Sequence, residues 1–64
     1  MDDISEWYKT LEVEPGAPLE EITRSHRELT KLWHPDRFRG EPALQAKALA
    51  KLKQINIAYQ RLCN

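Results

Sequence analysis

The sequence predicts an all-α fold: a small bundle in which two long helices form an antiparallel hairpin and a short N-terminal helix packs across it. Apolar residues recur at helical spacing in three segments, and clusters containing proline and glycine separate these segments. No segment alternates apolar and polar residues as a half-buried strand does. A chain of 64 residues has room for one thin core, so residues 1–64 are expected to form a single domain.

The first helix is predicted over about residues 5–13. Ser5 is a favourable N-cap residue, and Tyr8 and Leu11 fall on one helical face. A cluster of two prolines and a glycine at residues 15–18 ends the segment, because these residues interrupt regular structure.

The second helix is predicted over about residues 18–33. Pro18 suits a first helical turn, and the acidic residues that follow it complement the positive end of the helix dipole. Pro35 marks the end, because it has no amide proton and restrains His34 to extended backbone geometry. The helix therefore cannot continue through the His-Pro pair.

The third helix is predicted over about residues 42–62, a segment rich in Ala, Leu, Lys and Gln, which favour helices. Its apolar stripe must pack on that of the second helix, which places a connecting loop at residues 34–36 at the end of an antiparallel hairpin. The predicted stripe consists of Leu44, Ala48, Leu52, Ile55, Ala58, Tyr59 and Leu62.

The composition limits the possible functions. With 41% apolar and 31% charged residues, the chain is too apolar for a disordered tail and has no run suited to a bilayer, so we expect no direct membrane contact. The single cysteine, Cys63, cannot form an intramolecular disulfide, and its spacing to the two histidines does not suit a metal site. We expect no metal, no cofactor and, without a cavity or an activated nucleophile, no enzymatic activity.

Charge is distributed unevenly along the chain, although the net charge is zero. Residues 1–21 hold seven acidic residues and one lysine, whereas the remainder holds nine basic and three acidic residues. This asymmetry can steer an acidic protein partner to one side of the molecule, but it falls short of the basic excess of a nucleic-acid-binding domain. We expect a monomeric cytoplasmic domain that does not bind nucleic acid.

Three stretches resemble the main helices of a J domain, the module of DnaJ-type (heat-shock protein 40) co-chaperones. They are Trp-Tyr-Lys-Thr-Leu-Glu-Val at residues 7–13, the amphipathic helix that ends in His-Pro-Asp at 34–36, and Leu-Lys-Gln-Ile-Asn-Ile-Ala-Tyr-Gln-Arg-Leu at 52–62. Ile22 and Leu29, which lie twelve and five residues before the histidine, complete the pattern. The resemblance covers nearly the whole chain.

The resemblance implies a domain that binds a heat-shock protein 70 chaperone of the DnaK type and stimulates its ATP hydrolysis. The ATPase site would then belong to the partner. His34, Pro35 and Asp36 occupy the essential positions of the family, and Arg27 occupies a basic position that faces the partner. Residue chemistry agrees, since an exposed carboxylate suits a charge-assisted bond to an arginine. The remaining candidate contacts are the basic residues Arg24, Lys31 and Arg37.

The chain departs from the family pattern at several positions. His26 replaces a tyrosine, Thr23 and Glu28 replace residues that are often basic, and Glu12 replaces a frequent glycine. A J-like adaptor that keeps the fold but stimulates ATP hydrolysis weakly or not at all is therefore the alternative. Many members continue into a fourth helix, so we expect a fragment of a longer protein whose other parts could place it at a membrane or in an organelle.

Overall fold

A computed structural model describes residues 4–63, which form an all-helical bundle without strands in that range. Helix α1 spans Ile4–Thr10, α2 spans Leu19–Leu32 and α3 spans Pro42–Cys63, with a 3₁₀ helix at Pro35–Phe38 between α2 and α3. The all-α prediction is confirmed. No helix among the described residues is long and apolar enough to cross a membrane.

Side-chain contacts show that α2 and α3 run antiparallel. Near the start of α2, the Thr23 hydroxyl lies 3.2 Å from the Tyr59 hydroxyl, late in α3. Just after the end of α2, the Trp33 ring lies under the Lys51 ammonium. Lys51 precedes Tyr59 in α3. Contacts that advance along α2 therefore recede along α3, as the hairpin prediction requires.

The core lies where α2, α3 and the turn after α1 meet. Helix α1 packs against α3 through the half-buried Trp7 and Tyr8. The turn that follows α1 reaches α2, because the Ser25 hydroxyl donates a hydrogen bond to the Leu11 carbonyl. The buried cluster consists of Leu11, Ile22, Leu29, Ile55 and Ala58.

Helix α1 ends at Thr10, so the prediction that it reaches residue 13 is wrong. The backbone closes the helix there: the Glu12 N–H donates to the Lys9 carbonyl (2.9 Å) and the Val13 N–H donates to the Tyr8 carbonyl (3.0 Å). This pair of bonds is a Schellman motif, which requires a left-handed residue. Glu12 adopts that conformation, with φ 57°. The chain turns away from α1 at this point, and Leu11, just before Glu12, is buried in the core.

The other two helices deviate less from the prediction. The prediction placed Pro18 and Trp33 inside α2. In the structure Pro18 is the N-cap residue before the helix and Trp33 is the C-cap residue after it. Helix α3 begins at Pro42, as predicted, and continues to Cys63. Leu44 was placed in the apolar stripe of α3 but is 41% exposed. At this end of α3 the helix lies beside the 3₁₀ segment, and the neighbouring Gln45 makes the inward contact.

Glu12→Gly is expected to stabilise the domain by about 1 kcal/mol, because glycine adopts the left-handed conformation without the steric cost that a side chain incurs. The melting temperature should rise by roughly 4–8 °C in a domain of this size, as measured by circular dichroism. Glu12→Gln is the matched control, since it removes the charge and keeps the Cβ atom. A gain for Gln as large as the gain for Gly would contradict the backbone explanation.

Candidate partner-binding site

The His-Pro-Asp sequence forms a compact turn at the end of the hairpin. Trp33 leaves the helical region (φ −103°, ψ 20°). His34 is extended (φ −63°, ψ 129°), as the steric effect of the following proline predicts. Pro35 then opens the 3₁₀ helix that continues to Phe38. The predicted loop at residues 34–36 is thus one part of an ordered segment at residues 34–38, which we call the tripeptide turn.

His34 closes this turn from within. Its Nδ1 accepts a hydrogen bond of 3.2 Å from the Asp36 N–H, so Nδ1 carries no proton in this tautomer and the proton lies on Nε2. The same Nδ1 lies 3.8 Å from the Asp36 Oδ2, which is longer than a hydrogen bond. The imidazole caps the first turn of the 3₁₀ helix and leaves its Nε2–H for a partner.

The Asp36 carboxylate is the acidic group of the tripeptide turn. Its side chain is 65% exposed, and the nearest cationic atom is Arg39 Nη2, 3.8 Å from Oδ1. This separation is longer than a hydrogen bond, and an exposed pair of this kind contributes little stability. The carboxylate can therefore exchange Arg39 for an arginine of a partner at small cost.

One hydrogen bond closes the tripeptide turn internally, and two further contacts hold it against the hairpin. The Arg37 N–H donates to the His34 carbonyl (3.0 Å). From α3, the Gln45 Nε2–H donates to the Pro35 carbonyl (3.4 Å). The Phe38 ring stacks on Trp33 with centroids 6.3 Å apart. Sequence reasoning did not single out Phe38 or Gln45. The available signal was a phenylalanine inside an otherwise polar loop, since such a residue usually has a packing partner.

The predicted basic contacts lie on the exposed side of α2 and in the turn. Arg24, Arg27 and Lys31 are exposed and recur at steps of three and four, so they share one outward face, and Arg37 is exposed beside Asp36. Within residues 4–63, none of these four lies within 4 Å of a carboxylate. The structure brings all seven predicted residues onto the α2 side of the hairpin and its tip.

Two of the departures from the family pattern lie between the long helices. His26 stacks on Tyr59 with centroids 4.1 Å apart and planes at 15°, and its Nε2 lies 2.9 Å from the Asn56 Oδ1. Thr23 bonds to the same tyrosine. Both side chains therefore join α2 to α3. Glu28 is exposed, and it is the departure that places negative charge beside the basic face.

The described residues contain no cluster that suits a metal ion. Over residues 4–63, no group of three or more histidine, cysteine, aspartate or glutamate side chains is placed to hold one. The chemistry that the site offers is recognition: an exposed carboxylate, an imidazole N–H and a row of cations.

Residues 6–64 match the family model of the DnaJ domain. The chain belongs to the DnaJ domain family. Its relatives include proteins named Chaperone protein DnaJ from Nitratiruptor sp. (44% identity over 62 residues, 97% of this chain and 15% of the relative), Thermoplasma volcanium (42% over 57 residues, 89% and 15%) and Rhodopseudomonas palustris (41% over 56 residues, 88% and 14%).

The DnaJ domain spans only about 15% of the length of these relatives. No solved structure shows a significant match to the chain. Family membership agrees with the all-helical fold.

Phe38→Ala is expected to loosen the tripeptide turn while the three α-helices remain folded, because the ring stacks on Trp33 and is not among the apolar side chains packed against the buried cluster. Loss of a half-buried aromatic contact should lower the free energy of unfolding by about 1–2 kcal/mol. Amide exchange should accelerate at Arg37 and Glu41, whose N–H groups donate to the carbonyls of His34 and Phe38.

Arg39→Ala is the matched control for this prediction, because Arg39 lies in the same segment and its side chain is 78% exposed. Amide exchange measured by NMR distinguishes the two variants. Equal exchange rates for Phe38→Ala and the unmodified domain would contradict the role assigned to the Trp33–Phe38 stack.

Proposed function

We propose that this DnaJ domain binds a heat-shock protein 70 chaperone of the DnaK type and stimulates its ATP hydrolysis. The domain has no catalytic role of its own in this proposal, because hydrolysis takes place on the chaperone. It acts as a monomer that uses two adjoining surfaces: the tripeptide turn and the basic face of α2. We propose the cytoplasm as its location.

The observation that carries the proposal is the geometry of Asp36. Its carboxylate is held at the tip of the hairpin, largely exposed and with its nearest cation, Arg39, 3.8 Å away, on a backbone that Pro35 and the His34 cap restrain. A restrained turn loses less conformational entropy on binding than a flexible loop does. A charge-assisted bond from Asp36 to an arginine of the chaperone would therefore retain most of its binding energy.

The basic face of α2 supports the proposal through electrostatic steering. Arg24, Arg27 and Lys31 are exposed and form no ion pair among the described residues. Complementary charge raises association rates and orients a partner more than it raises affinity. We propose that this face meets an acidic surface of the chaperone and that Asp36 then fixes the productive orientation.

A J-like adaptor without ATPase stimulation is the second candidate. The exposed Glu28 favours it, because a negative charge beside Arg24 and Lys31 weakens attraction to an acidic chaperone surface. His26 and Thr23 do not favour it, since both face α3. Single-turnover ATP hydrolysis by the chaperone, with and without the domain, separates the two candidates: an adaptor binds without accelerating hydrolysis.

Asp36→Asn is expected to remove the stimulation of ATP hydrolysis and to leave the fold unchanged. Asparagine keeps the size of the side chain but loses the charge on which the bond to an arginine depends, and the site is solvated, so the melting temperature should move by less than about 2 °C. Single-turnover hydrolysis and a thermal melt measure the two effects. Undiminished stimulation by the variant would refute the assigned role of Asp36.

Arg27→Glu is expected to slow association with the chaperone by about tenfold or more at low ionic strength, because it reverses a charge in the centre of the basic face. The effect should shrink as salt screens exposed charges. Arg61→Glu is the matched control, since Arg61 is equally exposed but lies at the far end of α3.

Association rates from surface binding at two salt concentrations measure the difference between Arg27 and Arg61. Equal losses for the two reversals, or rates independent of salt, would show that the chaperone docks on another face of the domain.

A further inference from the structure

A groove with an apolar floor and a lysine rim lies between the ends of α1 and α2 and the middle of α3. Its volume is about 400 Å³. The floor is formed by Leu29, Trp33 and Ile55, Ala50 lines the groove as an exposed residue, and the basic residues that line it are Lys9, Lys47 and Lys51. We call it the lysine groove.

The three lysines of the lysine groove form no ion pair within residues 4–63. Lys47 and Lys51 lie one helical turn apart on α3, where like charges repel, and Lys9 approaches from α1. Among residues 4–63, no carboxylate lies within 4 Å of any of the three. Glu12 is the single acidic residue among those lining the groove. The rim therefore has a positive charge that an incoming carboxylate would relieve.

The floor offers an aromatic surface beside this charge. Lys51 Nζ lies 5.5 Å from the centroid of the Trp33 ring, a cation–π arrangement that holds the ammonium over the floor. Beneath it, Leu29 and Ile55 are nearly fully buried. An apolar side chain placed on this floor would extend the core, while an adjacent carboxylate would reach the rim.

We propose that the lysine groove binds a short acidic peptide segment of a partner protein. Carboxylates of the segment contact Lys9, Lys47 and Lys51, and one apolar side chain rests beside Trp33. The volume lies at the lower end of ligand sites, which suits one or two side chains. Nucleic acid fits less well, because the chain has zero net charge and Glu12 lies on the rim.

The lysine groove is separate from the surface proposed for the chaperone. None of the seven residues assigned to that surface lines the groove. Lys47, Lys51 and Gln54 line it from α3, whereas Asn56 contacts His26 on another face of that helix. An acidic segment and a chaperone can therefore occupy the domain together. The proposal stands independently of ATPase stimulation.

The test is a titration of the isotopically labelled domain with the capped hexapeptide Asp-Glu-Leu-Phe-Asp-Glu, followed by amide chemical shifts. We expect saturable shifts centred on Lys47, Lys51 and Gln54. Combined reversal of Lys47→Glu and Lys51→Glu should weaken binding by about tenfold. Lys53→Glu is the matched control, exposed on the same helix but outside the groove, and should change binding by less than about twofold. Circular dichroism verifies that each variant remains helical.

Four results would overturn the proposal. They are an absence of saturable shifts, an equal loss of binding for Lys53→Glu, equal binding of a peptide in which two serines replace the Leu-Phe pair, and tighter binding of a single-stranded oligonucleotide. Equal binding of the serine peptide would mean that charge alone determines binding and that the apolar floor contributes nothing. The fourth would mean that phosphates are the preferred ligand.

Discussion

The constraint on which this structure depends is the His34-Pro35 peptide unit. Proline removes an amide donor and excludes the preceding residue from the helical region, so α2 ends within three residues of Pro35. The chain can then reverse, and α3 returns along α2. The core, the antiparallel seam and the exposed position of Asp36 all follow from a reversal at this point.

The reversal becomes a rigid feature because aromatic and polar contacts attach it to both helices. The stacked pair of Trp33 and Phe38 joins the end of α2 to the far side of the turn, and Gln45 ties the turn to α3. Interactions that order a binding segment in advance reduce the entropy lost on association. In a domain with so few buried residues, these contacts preserve the shape of the site without a large core beneath it.

Periodicity was sufficient to predict the fold because the signals were local and strong. Proline positions set the ends of α2 and the start of α3, and the spacing of Ile22, Leu29 and Ile55 identified the buried faces. The predicted end of α1 was wrong, because Glu12 takes a left-handed conformation that ends the helix. A glutamate in the sequence does not indicate that conformation. The predicted burial of Leu44 was wrong, because helical spacing alone does not reveal where the opposing helix ends.

The candidate site was predicted in its residues but not in its geometry. The tripeptide and the basic row follow from sequence pattern and family resemblance. The 3₁₀ form of the turn and the cap from His34 to the Asp36 N–H depend on three-dimensional closure. The lysine groove was missed for the same reason, since Lys9 and Lys51 are far apart in sequence and meet only when α1 packs on α3.

We propose that the tripeptide turn and the outer face of α2 form one docking surface. The most direct measurement is the loss of amide NMR signals when the labelled domain is titrated with an ATP-bound heat-shock protein 70 chaperone. We expect losses at His34, Asp36 and Arg37 and at Arg24, Arg27 and Lys31, with Lys47 and Arg61 little affected. Losses confined to the lysine groove or to the end of α3, with the turn unchanged, would contradict it.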